Sequence, residues 1–215
     1  QDFKLPRKLI KENYLNKINS SNKPFIIYKT IIGFDLYTDF SKKIILNNRN
    51  IKKFLDKKFK NQKNYKNTDL FIGFFGYELL NNLIGVKLPK QKSINFPKGI
   101  FYKPETKKIL PEDLHFNSNK NNKITKSFKI NIDQNTYTKI FNKFKKKIKS
   151  GDTYQIKICT KYKTKSKINP LDFFSRLSKT NLAPESFMIK DKNYSIISCS
   201  PENLFTKKGF DISTK

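Results

Sequence analysis

Two cysteines in 215 residues, Cys159 and Cys199, are too few for a disulfide scaffold and sit at no metal or redox spacing. A reducing cytosol is the expected compartment, and packing is the expected role of both thiols. Long apolar runs are also missing. None approaches the roughly 18 residues that span a bilayer, so no membrane segment is expected. The opening QDFKLPRKLIKENYL lacks the apolar centre of a secretory signal. Histidine is limited to His115, in a polar stretch where exposure is expected. The only methionine is Met188, so no initiator is present, and a strand pattern is still in progress at Lys215; these ends read as those of a fragment.

Acidic residues are scarce, 17 against 46 basic ones, for a formal charge of +29. Arginine is scarcer still: Arg7, Arg49 and Arg176 alone. Base readout and bidentate phosphate clamping draw on the planar guanidinium fork. Lysines scattered through every segment beside abundant Asn and Ile instead match the bias of an AT-rich genome. A basic nucleic-acid-binding module remains the competing class, supported by charge and aromatic content alone. Its aromatics fall at core-type spacings rather than on a stacking surface, so no nucleic-acid partner is expected.

What is present is a core: 36% apolar residues, including 20 Phe and 10 Tyr. Leu9, Ile10, Tyr14 and Ile18 predict a helix over 5–18, and PFIIY (24–28) and KKIIL (42–46) predict short strands. Ile51, Phe54, Leu55 and Phe59 predict a second helix. DLFIGFFGYELL (69–80) reads as one buried strand with Gly73 and Gly76 inside it. KGIFYKPETKKIL (98–110) reads as a hairpin turning at Pro104–Thr106. The Asn-rich stretch 115–126 is the natural boundary. Beyond it, Tyr137, Ile140, Phe141, Phe144 and Ile148 predict a helix capped by Asp133 or Asn135 and ended by Gly151. TYQIKICTKYKTK alternates as a strand, PLDFFSRLSKT predicts a helix burying Phe173, Phe174 and Leu177, and SFMIKD and NYSIISCS predict two strands. Hairpins and helices without strict βαβ alternation predict an α+β fold, with antiparallel sheets covered by helices.

Four segments carry a resemblance. FIGFFGYELLNNL holds a glycine-rich strand ending in a Gly-Tyr-acid step. SGDTYQIKICTKY places Gly151, Asp152 and Gln155 after a helix. NLAPESFMI places Asn181 and Pro184, and SIISCSPENLF presents Ser200, Pro201 and Glu202. In this order the segments resemble the chorismate-utilising enzymes, namely component I of aminodeoxychorismate synthase and of anthranilate synthase, over about residues 70–215.

The resemblance implies an anthranilate synthase component I-like fold. An N-terminal region over residues 1–128 would precede the start of a chorismate-binding catalytic domain over 129–215. It implies amination of chorismate with ammonia from a glutamine amidotransferase subunit, in the cytoplasm. The favoured product is 4-amino-4-deoxychorismate, on the path to p-aminobenzoate and folate. The alternative is anthranilate with release of pyruvate, on the path to tryptophan. Isochorismate or salicylate synthase, which use water and need no glutaminase, is more distant. Mg²⁺ is the implied cofactor, with its ligands expected beyond Lys215 and no metal ligand within residues 1–215. A chain of this extent is expected to be inactive by itself.

By the same resemblance Glu202 aligns with the general acid that protonates the departing ring hydroxyl, a step worth roughly 10²–10⁴-fold. Pro201 removes a ladder donor and aims the next side chain. A structural hydrogen bond or an exposed turn carboxylate are the competing readings of Glu202. Partial burial would raise its pKa and keep it protonated, and a side chain out in bulk solvent would remove that basis. Asp152 and Gln155 read as ties between helix end and strand start, with ligand contact as the alternative. Pro184, Glu185 and Ser186 align with the family's effector pocket. Glu185 and Ser186 stand where an aromatic residue and a methionine are usual, so feedback by tryptophan is not expected.

Overall fold

A computed structural model describes residues 12–60, 70–86, 96–110, 127–165, 168–200, 202–208 and 210–214. These fall into two compact units, one drawn from residues 1–118 and 170–215 and one from 119–169.

The first unit is built on a six-stranded antiparallel sheet in the order β3-β4-β2-β1-β7-β8. Its strands are β1 (Phe25–Thr30), β2 (Gly33–Ile45), β3 (Ile72–Phe75), β4 (Gly99–Leu110), β7 (Glu185–Lys190) and β8 (Ser195–Ser200). Alternation sends Phe25 and Ile27 to one face and Ile26 and Tyr28 to the other. Helices α1 (Glu12–Ser20) and α5 (Pro170–Thr180) cover the first face. Leu15, Leu171 and Phe174 pack there against Phe34, Leu36 and Met188, with the Phe34 and Phe174 rings edge-on at 5.7 Å. The opposite face gathers Ile26, Tyr37, Ile100, Tyr102 and Ile189. A third cluster, Leu46, Ile51 and Leu79, seats α2 (Ile51–Lys60) and α3 (Tyr77–Leu83) beside β3 and β4. A short hairpin, β9 (Thr206–Lys208) with β10 (Asp211–Ser213), follows β8 as a separate two-stranded sheet.

The second unit holds α4 (Gln134–Lys149) and two short paired strands, β5 (Lys129–Ile130) and β6 (Tyr162–Lys163). Asp133 caps α4 by accepting the Thr136 N–H at 2.7 Å, and that bond holds its carboxyl below the usual carboxylate range. Gly151 ends the helix at φ +77°, where a side chain would be strained.

The α+β class is observed, and several local expectations are corrected. Residues 98–110 form one continuous strand rather than a hairpin. Pro104 lies opposite Phe40, where β2 shifts register between Phe40 and Lys42 and Asp39 adopts φ +53°. A strand can hold a proline at such a bulge, where the ladder is already interrupted. Residues 69–80 do not continue as a strand: pairing ends at Phe75, the Gly76 N–H donates to the Lys98 carbonyl at 2.7 Å, and α3 starts at Tyr77. The alternating stretch 153–161 pairs with no described strand, and only Tyr162–Lys163 does. In α5, Leu171 is buried in place of Phe173, which is 39% exposed. The 115–126 stretch, His115, Pro201 and the helical expectation over 5–11 lie outside the described residues. The sheet takes strands from either side of residue 128, because β1 pairs with β7, so packing divides the chain differently from the sequence boundary.

Candidate functional site

The β7–β8 hairpin positions most of the residues singled out in the first unit. Its register sets Glu185 opposite Ser200. The Ser200 hydroxyl donates to the Glu202 carbonyl at 3.2 Å, fixing the chain just past the strand end. Glu202 itself is exposed. The burial expected around a general acid is therefore not supplied by the described residues, since Glu202 follows an edge strand that nothing described flanks.

Glu185 is engaged from two sides. The Tyr28 hydroxyl donates to one carboxylate oxygen and Asn203 Nδ2 donates to the other at 3.2 Å. Burial, with the Glu185 carboxylate beside it, pushes Tyr28 up to about 12. Ser186 is fully buried, and its hydroxyl donates to the Ala183 carbonyl at 3.0 Å. Pro184 between them is exposed. Side-chain polar groups of the effector-like segment are thus engaged by the protein's own atoms. Asn203 directly follows Glu202, so this hydrogen bond couples the effector-like segment to the acid-bearing segment.

Gly151, Asp152 and Gln155 lie in the second unit. Asp152 accepts from Ser150 Oγ at 2.9 Å and pairs with Lys147 at 2.8 Å, contacts that hold its carboxyl below the ordinary range. Its N–H donates to the Lys147 carbonyl at 3.0 Å. These are helix-end ties. Gln155 is exposed, and its carbonyl accepts from Thr153 Oγ1 at 3.2 Å. Cys159 is exposed and Cys199 half-buried, and both are free thiols.

Two buried polar clusters were not visible in the sequence. Asp191, 7% exposed, accepts from Lys43 Nζ at 2.5 Å, from the Lys192 N–H at 2.6 Å and from the hydroxyls of Tyr102 and Tyr194. Burial alone would push its carboxyl up. The bonds from Lys43, Tyr102 and Lys192 outweigh that and hold it low. Burial pushes Tyr102 up, reinforced by its bond to Asp191. Asp35 likewise pairs with Lys107 at 2.7 Å and accepts from the Tyr37 hydroxyl at 3.2 Å. Lys43 and Tyr102 lie far from Asp191 in sequence, as Lys107 does from Asp35, and no local pattern marks such pairs.

A cavity of about 560 Å³ opens between α1 and β2, lined in part by Tyr14, Lys17, Lys23, Asp39 and Phe40. None of the sequence-predicted site residues lines it. Among the described residues no group of three or more His, Cys, Asp or Glu side chains comes together. The described residues therefore do not fit a Mg²⁺ ion. No helix among them is long and apolar enough to cross a membrane.

The described residues form an α+β protein built on a helix-backed antiparallel sheet. The sequence pattern of the chorismate binding enzymes matches residues 18–215. The chain belongs to that family. Anthranilate synthase component 1 of Buchnera aphidicola subsp. Pemphigus spyrothecae is 28% identical over 186 residues, covering 70% of this chain and 35% of the relative. The anthranilate synthase component I-like protein of Synechocystis sp. is 26% identical over 164 residues, 65% of this chain and 34% of its own length. Anthranilate synthase component 1 of Buchnera aphidicola subsp. Diuraphis noxia is 25% identical over 187 residues, 70% of this chain and 36% of the relative. The chain thus spans about a third of the length of the curated relatives it matches.

Proposed function

We propose that this chain forms part of an enzyme that aminates chorismate, with ammonia delivered by a glutamine amidotransferase partner. The observation that supports this most directly is the family match across residues 18–215. Glu202 is the general acid in this reading. As ammonia bonds to the ring and the C–O bond breaks, the Glu202 carboxyl proton passes to the departing oxygen, which leaves as water, and a proton lost by the newly bound ammonium restores the carboxyl. Hydroxide is a poor leaving group, so a positioned acid contributes roughly 10²–10⁴-fold.

The names of the relatives favour anthranilate as the product. A second reading, 4-amino-4-deoxychorismate, is favoured by the effector-like segment. Glu185 is held by Tyr28 and Asn203, and Ser186 is buried, so the polar groups there are engaged within the protein rather than directed at an amino-acid effector. Mg²⁺ would be held by residues other than those described.

The test joins this chain to the part of the 28%-identical relative that it does not match. After cooperative unfolding shows that the hybrid is folded, chorismate, ammonium and Mg²⁺ are supplied and products are separated by chromatography. Anthranilate with pyruvate supports the first reading, and 4-amino-4-deoxychorismate supports the second. Unconsumed chorismate with a folded hybrid rejects both. The 215-residue chain alone is expected to leave chorismate unconsumed.

A further inference from the structure

The segment that carries Glu202 is fixed by hydrogen bonds rather than by pairing. Residues 202–205 pair with no described strand. Among the described residues two hydrogen bonds hold them. The bond from Ser200 Oγ to the Glu202 carbonyl is local and exposed. The bond from Asn203 Nδ2 to the Glu185 carboxylate is partly buried and spans 18 residues of chain. Asn203 is half-buried between exposed neighbours, Glu202 and Leu204, so it is the side chain of this segment that turns toward the sheet.

Glu185 is itself held. It opens β7, and two residues along the same strand face Phe187 stands opposite Tyr28 of β1. That register brings the Tyr28 hydroxyl to the second oxygen of the Glu185 carboxylate. With its pKa pushed up to about 12, the hydroxyl keeps its proton at neutral pH and remains a donor. The chain entering β7 is pinned as well, because the Ala183 carbonyl accepts from the Ser186 hydroxyl at 3.0 Å and from Lys29 Nζ at 3.3 Å. A carboxylate only accepts, so Asn203 must present its amide nitrogen, and its orientation is set.

We propose that Glu185 is a positioning residue: anchored by Tyr28, it clamps Asn203 and thereby sets where the adjoining Glu202 side chain points. The consequence for turnover rests on the amination reading, whereas the clamp itself rests on hydrogen bonding alone. Aim matters because a displacement of about 1 Å at a reacting group can cost roughly 10²-fold in rate.

The experiment exchanges donor and acceptor. In the folded hybrid, Asn203→Asp sets two carboxylates against each other and should lower kcat about 10–100-fold, with KM for chorismate within about twofold of wild type. The double variant Glu185→Gln/Asn203→Asp reverses the polarity of the pair. Its new amide oxygen still accepts from Tyr28, and its nitrogen donates to the new carboxylate. This variant should recover kcat to within about threefold of wild type. A side chain that only stabilised the fold would move the unfolding midpoint and leave kcat intact. Wild-type kcat in Asn203→Asp overturns the proposal, as does a double variant no faster than Asn203→Asp. The clamp is also read without turnover, from backbone NMR order parameters of residues 202–204 in the 215-residue chain. Values of about 0.85 are expected in wild type and in the double variant, and about 0.6 or less in Asn203→Asp. If the folded wild-type hybrid consumes no chorismate, the amination reading fails and these values alone decide the clamp. Equal values in all three chains overturn it.

Discussion

Asp191 carries more of this structure than any residue the motifs single out. Its carboxylate, nearly out of water, collects bonds from Lys43, Tyr102, Tyr194 and a backbone N–H, joining β2, β4 and the β7–β8 turn. Replacing Asp191 by Ala leaves the Lys43 ammonium and two hydroxyls short of an acceptor. A loss of about 2–4 kcal/mol in urea unfolding is expected. Because Lys43 is 42% exposed, the lower half of that range is favoured. The same change at Asp152, in an exposed ion pair, should move the midpoint far less. Tyr28 gives a test in alkali. Its folded value is raised to about 12 against an ordinary value of 10.0, so the folded state keeps a proton that the unfolded chain gives up. Stability from this group is complete below pH 10 and falls as pH rises toward 12. In Tyr28→Phe that decline is absent. The stability gap between wild type and variant should therefore shrink across this window, and a constant gap would show that the hydroxyl does not titrate as described.

Elements were legible where one period dominated. Helices α4 and α5 and the β7–β8 hairpin follow from spacing and caps, because local sequence and final structure agree there. Residues 69–80 and 98–110 were misread for a shared reason. Gly76 and Pro104 look like interior features of a strand and a turn, and only their partners decide what they are. Gly76 ends a strand because Lys98 takes its N–H, and Pro104 stays in a strand because a bulge faces it. Gly73 makes the same point sharply. A Cβ there would lie 1.9 Å from the Ile100 carbonyl oxygen and 2.7 Å from Phe101 Cα, both backbone atoms of β4. Gly73→Ala should push β3 off the sheet and cost about 3 kcal/mol or more. Denaturant unfolding checks this, and a midpoint within about 0.5 kcal/mol of wild type would mean that β3 and β4 are not so close.

At the scale of the whole molecule, the site was legible as sequence before it was legible as geometry. Ser200 closes β8 half-buried, and Glu202 lies exposed two residues further on. Helix α4 says the same of the second unit, with none of its residues buried despite Tyr137, Phe141 and Ile148 along one stripe. An amphipathic helix of 16 residues owes most of its stability to whatever covers its apolar face.

The central claim is that Glu202 supplies the proton that frees the hydroxyl of chorismate, and its most direct test is a single substitution. In the folded hybrid enzyme, Glu202→Gln preserves shape and removes the acid. Turnover of chorismate with ammonium should fall by about 10²–10⁴-fold while the unfolding midpoint stays unchanged. Turnover within a few-fold of wild type would contradict the assignment.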